Sequence, residues 1–205
     1  MFKRILIANR GEIAVRIIRT CQELGIEAVA IYSNVDSTSL HVQLADHAVC
    51  IGSAKATDSY LNMKNILSAA TALGCDAIHP GFGFLSENST FARLVEECGM
   101  TFIGPSGDII DMMGNKSMAR QKMIEANVPV VPGSDGSVNT LEDARKVAKE
   151  IGFPVLIKAS AGGGGRGMRK AFSEDEFDDA YLTAKAEAKA CFGDDDMYIE
   201  KLILN

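Results

Sequence analysis

The sequence predicts an α/β chain with a doubly wound parallel sheet over residues 1–113, followed at 114–205 by the start of a smaller α+β unit. Three features predict it. Short β-branched runs alternate with stretches of helical spacing, the pattern of strand–helix–strand units with parallel strands. Glycine closes one helix after another before the next run begins. After residue 105 that rhythm stops, and a glycine-rich hairpin takes its place.

In order, residues 3–8 (KRILIA) read as a buried strand ending at Asn9-Arg10-Gly11. Ala14, Ile17, Ile18, Cys21 and Leu24 then recur at helical spacing, and Gly25 stops them. Residues 27–32 (EAVAIY) form a second strand and 48–51 a third. Met63, Ile66, Leu67, Ala70 and Leu73 mark a helix ending at Gly74, and a strand begins at 76–78. His79–Asn88 is rich in turn residues, with Asn88 placed to cap the next helix, whose apolar positions are Phe91, Leu94, Val95 and Cys98. Residues 101–103 complete the run, the repeated unit of flavodoxin-like and Rossmann-like sheets. Such sheets take ligands beyond the carboxyl ends of their strands, where both Asn9–Gly11 and His79–Asn88 fall.

Beyond Pro105, residues 106–126 read as two short helices broken near Gly114-Asn115, and Pro129, Pro132 and Gly133 as a linker. Thr140 caps an amphipathic helix over 140–151. Residues 155–159 form a strand entering the glycine-rich segment, and 169–172 the returning strand. Ser173 with Glu176 predicts a capping box on a helix reaching about Cys191. Residues 197–202 form a last strand.

Composition narrows the function. Charged residues make up 23% and the hydrophobic set 47% of the 205 residues, which predicts an ordinary globular protein rather than a disordered or fibrous one. Net charge is −6, without the basic excess of a nucleic-acid binder. Residues 171–205 alone carry net −7. No stretch approaches the ~18 apolar residues of a membrane span, and the apolar run at the N-terminus is too short for a signal peptide. The five cysteines lack any CxxC spacing, so they read as buried free thiols in a reducing, cytoplasmic setting.

Lys158–Lys170 (KASAGGGGRGMRK) is the strongest chemical signal. Five glycines fall within 162–167, flanked by Lys158, Arg166, Arg169 and Lys170, with no acidic residue between. Glycine lets backbone N–H groups approach an anion closely, and the cations neutralise phosphate charge. The segment is not a P-loop, which needs GxxxxGK[ST] opening a helix. Alternation puts Leu156 and Lys158 on one face of their strand, and Val155, Ile157 and Ala159 on the other. Lys116 stands at a helix start, where anions are favoured, although a solvated lysine is the plainer reading. Glu200-Lys201 lie in the last strand, where main-chain groups can read an adenine edge. Arg19 and Glu23 are spaced i, i+4 on the polar side of the first helix, as a surface pair or a subunit contact.

Taken together, ILIANRGEIAVRIIR (5–19), HPGFGFLSEN (79–88), FIGPS (102–106), GNK (114–116) and PVLIKASAGGGGRGM (154–168) resemble the biotin carboxylases. These are the ATP-grasp subunits or domains of acetyl-CoA, propionyl-CoA and pyruvate carboxylases. The resemblance implies a Rossmann-like pre-ATP-grasp domain followed by an ATP-grasp domain. It implies carboxylation of biotin on a carrier protein or domain from ATP and bicarbonate through carboxyphosphate, with Mg2+ or Mn2+. By the same resemblance, Lys116 and Lys158 contact ATP, Gly164 and Gly165 cover its phosphates with Gly163 and Met168 adjacent, and Glu200, Lys201 and Ile203 form the adenine strand. Ile203 stands where the family often has Leu. Arg19 and Glu23 fall on the family's homodimer surface, and a carboxyltransferase is the downstream partner. The family's metal-binding glutamates and catalytic arginine lie beyond Asn205, so no catalytic or metal residue is assigned and the chain alone is expected to be inactive. Two other readings are a different ATP-grasp ligase, such as a carbamoyl-phosphate synthetase-like enzyme, and a non-catalytic dinucleotide-binding module. The second is weakened by the absence of GxGxxG in the first strand–helix turn.

Overall fold

The computed structural model describes residues 2–160 and 167–204, the side chains of 116 and 117 excepted. It divides into two compact units, 1–114 and 115–205.

The first unit contains β1 (Arg4–Ile7), α1 (Gly11–Glu23), β2 (Glu27–Ser33), α2 (Leu40–Leu44), β3 (His47–Gly52), α3 (Met63–Ala72), β4 (Ala77–His79), α4 (Ser89–Glu97), β5 (Thr101–Phe102) and α5 (Gly107–Gly114). Its strands pair in the order β3-β2-β1-β4-β5, all parallel. Both faces of the sheet are covered, so the strands read as continuous apolar runs rather than alternating ones. Ile5, Ile7 and Ala28 pack on Ala14, Ile17 and Ile18 of α1. On the other face Leu6, Val29 and Ile78 pack with Ile66, Ala70, Phe91 and Val95 of α3 and α4. Asn88 caps α4 as expected, accepting the Phe91 N–H at 2.8 Å. Helix α2 was not legible, being too short to show a period.

The second unit contains α6 (Lys116–Glu125), α7 (Leu141–Ile151), β6 (Val155–Ala159), β7 (Met168–Ala171), α8 (Glu174–Phe192) and β8 (Met197–Lys201). Its three strands form an antiparallel sheet in the order β7-β6-β8. Val155, Ile157, Met197 and Ile199 face α7 and α8, packing on Ala144, Ala148, Phe177, Tyr181 and Ala184. Thr140 caps α7, accepting the Asp143 N–H at 3.1 Å.

Three expectations change. The capping box at Ser173 does not form. Ser173 makes no side-chain cap bond, and Glu176 instead accepts the Phe172 N–H at 2.9 Å, one residue earlier. Glu174, Asp175 and Glu176 still place acidic charge at the positive end of the α8 dipole. The 129–133 stretch is not a free linker, because Pro132 accepts the Lys201 N–H at 2.7 Å and Ser134 donates to Ile199 at 2.7 Å, extending the sheet beyond β8. Of the cysteines, all free, only Cys21 and Cys75 are buried, while Cys50, Cys98 and Cys191 are exposed. Burial pushes the Cys75 thiol up to about 11. Apolar neighbours in sequence did not guarantee burial at strand and helix ends.

Candidate functional site

Among the described residues, the sheet of the second unit has one face under helices and one without that cover. Strand alternation sends Leu156 and Lys158 of β6, and Tyr198 and Glu200 of β8, to the second face, all of them half-buried. The register sets Lys158 directly between Met168 on one side and Tyr198 on the other, with Leu156 opposite Glu200. The Lys158 ammonium bonds the Glu200 carboxylate at 2.5 Å, and its Nζ lies 5.8 Å from the centre of the Tyr198 ring. The two charged side chains are 28% and 23% exposed, shielded enough for the pair to outweigh an ordinary surface ion pair.

Lys201 points elsewhere. Its Nζ donates to the carbonyls of Gly152 (3.0 Å) and Phe153 (2.8 Å), tying the turn before β6 to β8. Its charge is spent inside the fold, and what it offers a ligand is backbone. Leu202 donates to Pro154 on the β6 side, whereas on the opposite edge Ile199 exchanges bonds with Ser134 and Lys201 donates to the Pro132 carbonyl. The Lys201 carbonyl therefore faces that outer edge. The N–H of Ile203, two residues on, has no hydrogen-bond partner among the described residues. Ile203 and Met168 are exposed. Gly163, Gly164 and Gly165 lie outside the described residues, as does the Lys116 side chain; the backbone places Lys116 as the first residue of α6.

In the first unit the carboxyl ends of the strands are latched by side chains. Asn9, 3% exposed, donates both amide hydrogens, to the carbonyls of Pro80 and Phe82 at 2.8 Å each, and accepts the Arg10 N–H at 2.9 Å. Gly81 has φ +66°, and a Cβ there would lie 2.8 Å from the Asn9 amide nitrogen, so glycine is required by conformation and space together. The His79 Nδ1 accepts the Gly81 N–H at 3.0 Å, and burial, then the Arg16 charge, hold its imidazole below the usual pKa.

Just past β2, Asp36 accepts from the hydroxyls of Ser33 (2.6 Å) and Tyr60 (2.7 Å) and pairs with Arg10 at 3.3 Å. Burial opposes ionisation, but these donors outweigh it and hold the carboxyl below its ordinary range. Burial and the Asp36 bond push the Tyr60 hydroxyl up to about 12. The Arg10 guanidinium lies over the Tyr60 and Phe84 rings, at 5.3 and 5.7 Å. Arg10 and Phe84 lie in the two segments the sequence places at the strand ends, but Asp36 and Tyr60 carry no such signal, and the four meet only once the sheet is assembled.

Arg19 and Glu23 are exposed, line a cleft of about 840 Å³ along α1 with Glu12, Arg16 and His41, and make no ion pair with each other.

Residues 1–110, more than half of the chain, match the family model described as biotin carboxylase, N-terminal domain. The chain belongs to the biotin carboxylase family. Residues 115–205 match a second model, the ATP binding domain of the carbamoyl-phosphate synthase L chain. Biotin carboxylase 1 of Bacillus subtilis is 56% identical over 99% of this chain and 45% of its own length. A biotin carboxylase–β,γ-ATP complex from Campylobacter jejuni superposes with TM-score 0.85 at 50% identity, covering all of this chain and 46% of that one. A biotin carboxylase domain dimer of Hydrogenobacter thermophilus 2-oxoglutarate carboxylase, solved with MgADP, ADP and bicarbonate, gives 0.81 at 53% identity, covering 99% and 45%. The chain thus spans less than half the length of these family members.

Proposed function

We propose that this chain carries the ATP-binding half of a biotin carboxylase, with residues 1–113 as the pre-ATP-grasp domain and 114–205 as the start of the ATP-grasp domain. The whole enzyme would use ATP and bicarbonate to carboxylate biotin on a carrier protein or domain and feed a carboxyltransferase. The observation that carries the reading is the half-buried Lys158 ammonium on the face of β6 away from α7 and α8, in the strand that leads in sequence into the glycine-rich segment. There it can meet a nucleotide phosphate as a point charge. Lys116, Gly164 and Gly165 complete the phosphate contacts in this assignment, with Gly163 and Met168 adjacent.

The outer edge of β8 suits adenine. A carbonyl and the N–H two residues later lie side by side on one strand edge. The Lys201 carbonyl can therefore accept from N6 while the Ile203 N–H donates to N1. Mg2+ enters with the ATP phosphates. Among the described residues no three His, Cys, Asp or Glu side chains converge to hold a metal.

The dinucleotide-module reading loses ground at Asp36. Past β2, such folds use an acidic residue to bind a ribose hydroxyl. Asp36 is already engaged by Ser33, Tyr60 and Arg10. The exposed charges of Glu12, Arg16, Arg19 and Glu23 along α1 suit a self-complementary homodimer contact, like charges on one copy meeting opposite charges on the other. No helix among the described residues is long and apolar enough to cross a membrane, and the free thiols suit the cytoplasm.

Phosphate release measured with Mg-ATP, bicarbonate and free biotin tests the division of labour. The 205-residue chain should show no bicarbonate-dependent turnover. Robust turnover would place the catalytic groups within these residues and overturn the assignment.

A further inference from the structure

We propose that Tyr198 is a positioning residue for Lys158, holding the ammonium toward the nucleotide phosphates without cancelling its charge. This rests on the ATP reading above. An ammonium has three N–H donors and a freely turning four-carbon stem, so its direction is set by what surrounds it. Two groups do so here. Glu200 takes one N–H at 2.5 Å and neutralises charge as it does. The Tyr198 ring, directly across the strand pair with its centre 5.8 Å from Nζ, attracts the cation through its face and leaves the net charge intact. A phosphate competes with the carboxylate for the ammonium, but not with the ring.

Tyr198 is itself well seated. It is half-buried, and burial raises its hydroxyl pKa, with Arg120 opposing and Glu200 and Asp135 adding to the shift. A Cβ on Gly133 would lie 2.8 Å from the Ile199 carbonyl oxygen, 3.0 Å from the Tyr198 hydroxyl and 3.2 Å from Glu200 Cγ. The bare backbone of Gly133 therefore closes behind both partners of Lys158. That gives the 132–134 segment a reason to lie along β8: it packs behind the two side chains that aim the lysine.

The test compares Tyr198→Phe with Tyr198→Leu in the 205-residue chain. Phenylalanine keeps the ring face and leucine keeps only apolar bulk. Mg-ATP affinity by titration calorimetry should be nearly unchanged in the Phe variant and weakened about fivefold in the Leu variant. Before any nucleotide is added, the Lys158 ε-methylene protons should show an upfield ring-current shift by NMR. That shift should persist with Phe and vanish with Leu, while the amide spectrum reports that both variants are folded. A Leu variant that binds ATP as well as the parent, or a Phe variant that loses as much as Leu, overturns the proposal. A parent chain that binds no ATP overturns the nucleotide reading instead; absence of the ring-current shift in the parent overturns the Tyr198 assignment on its own.

Discussion

Replacing Lys158 with methionine should weaken Mg-ATP binding by roughly 10- to 100-fold, the range expected for losing one charge-assisted hydrogen bond to phosphate. Methionine keeps most of the stem volume, so the packing beside Leu156 and Tyr198 survives. Glu200, 23% exposed, loses its cation but keeps access to water, so the fold should persist. Lys149→Met removes the same charge from α7, where Lys149 pairs with Glu174, and should leave affinity close to that of the parent. Calorimetric titration of both variants separates a local phosphate contact from a general effect of charge. Equal losses in the two would show that Lys158 acts only through the overall field.

Asn9→Asp should be among the most damaging near-isosteric changes in the first unit, costing about 3 kcal/mol. The amide nitrogen of Asn9 donates to two carbonyls, Pro80 and Phe82, from a site 3% exposed. A carboxylate has no hydrogen to give and would set negative charge against both carbonyl oxygens. Asn9→Ala should cost about 2 kcal/mol, because the Phe82 residue is exposed and its carbonyl can turn to water while the buried Pro80 carbonyl is left unpaired. Thermal unfolding of the Asp variant should fall by on the order of 10 °C. A melting temperature unchanged in both variants would mean that the 79–88 loop is held by something other than Asn9.

These two sites also show what a single sequence can and cannot tell. The parallel sheet was legible because its strands and helices repeat with their own periods, as at Ile5–Ile7 and at Ala14, Ile17 and Ile18. The facing of Lys158 was legible too, since a period of two is a local property of β6. Its partners were not. Glu200 lies 42 residues further on, and which side chain meets Lys158 depends on the β6–β8 register, set only by folding. Tyr198 lies two residues before Glu200 and so shares its face, the one signal that could have pointed to it. Lys201 was read for its place in the strand, correctly set on β8, but local sequence could not show that its ammonium closes on Gly152 and Phe153. The expected capping box fails in both halves: Ser173 makes no side-chain cap bond, and Glu176 reaches the N–H of Phe172 rather than that of Ser173.

These 205 residues should hold an adenine-nucleotide site and not a dinucleotide site. Parallel calorimetric titrations of the chain with Mg-ATP and with NADH test it most directly. Saturable 1:1 binding of ATP is expected, with none of NADH over the same range, because Asp36 is already held by Ser33, Tyr60 and Arg10. Binding of NADH without ATP would contradict it.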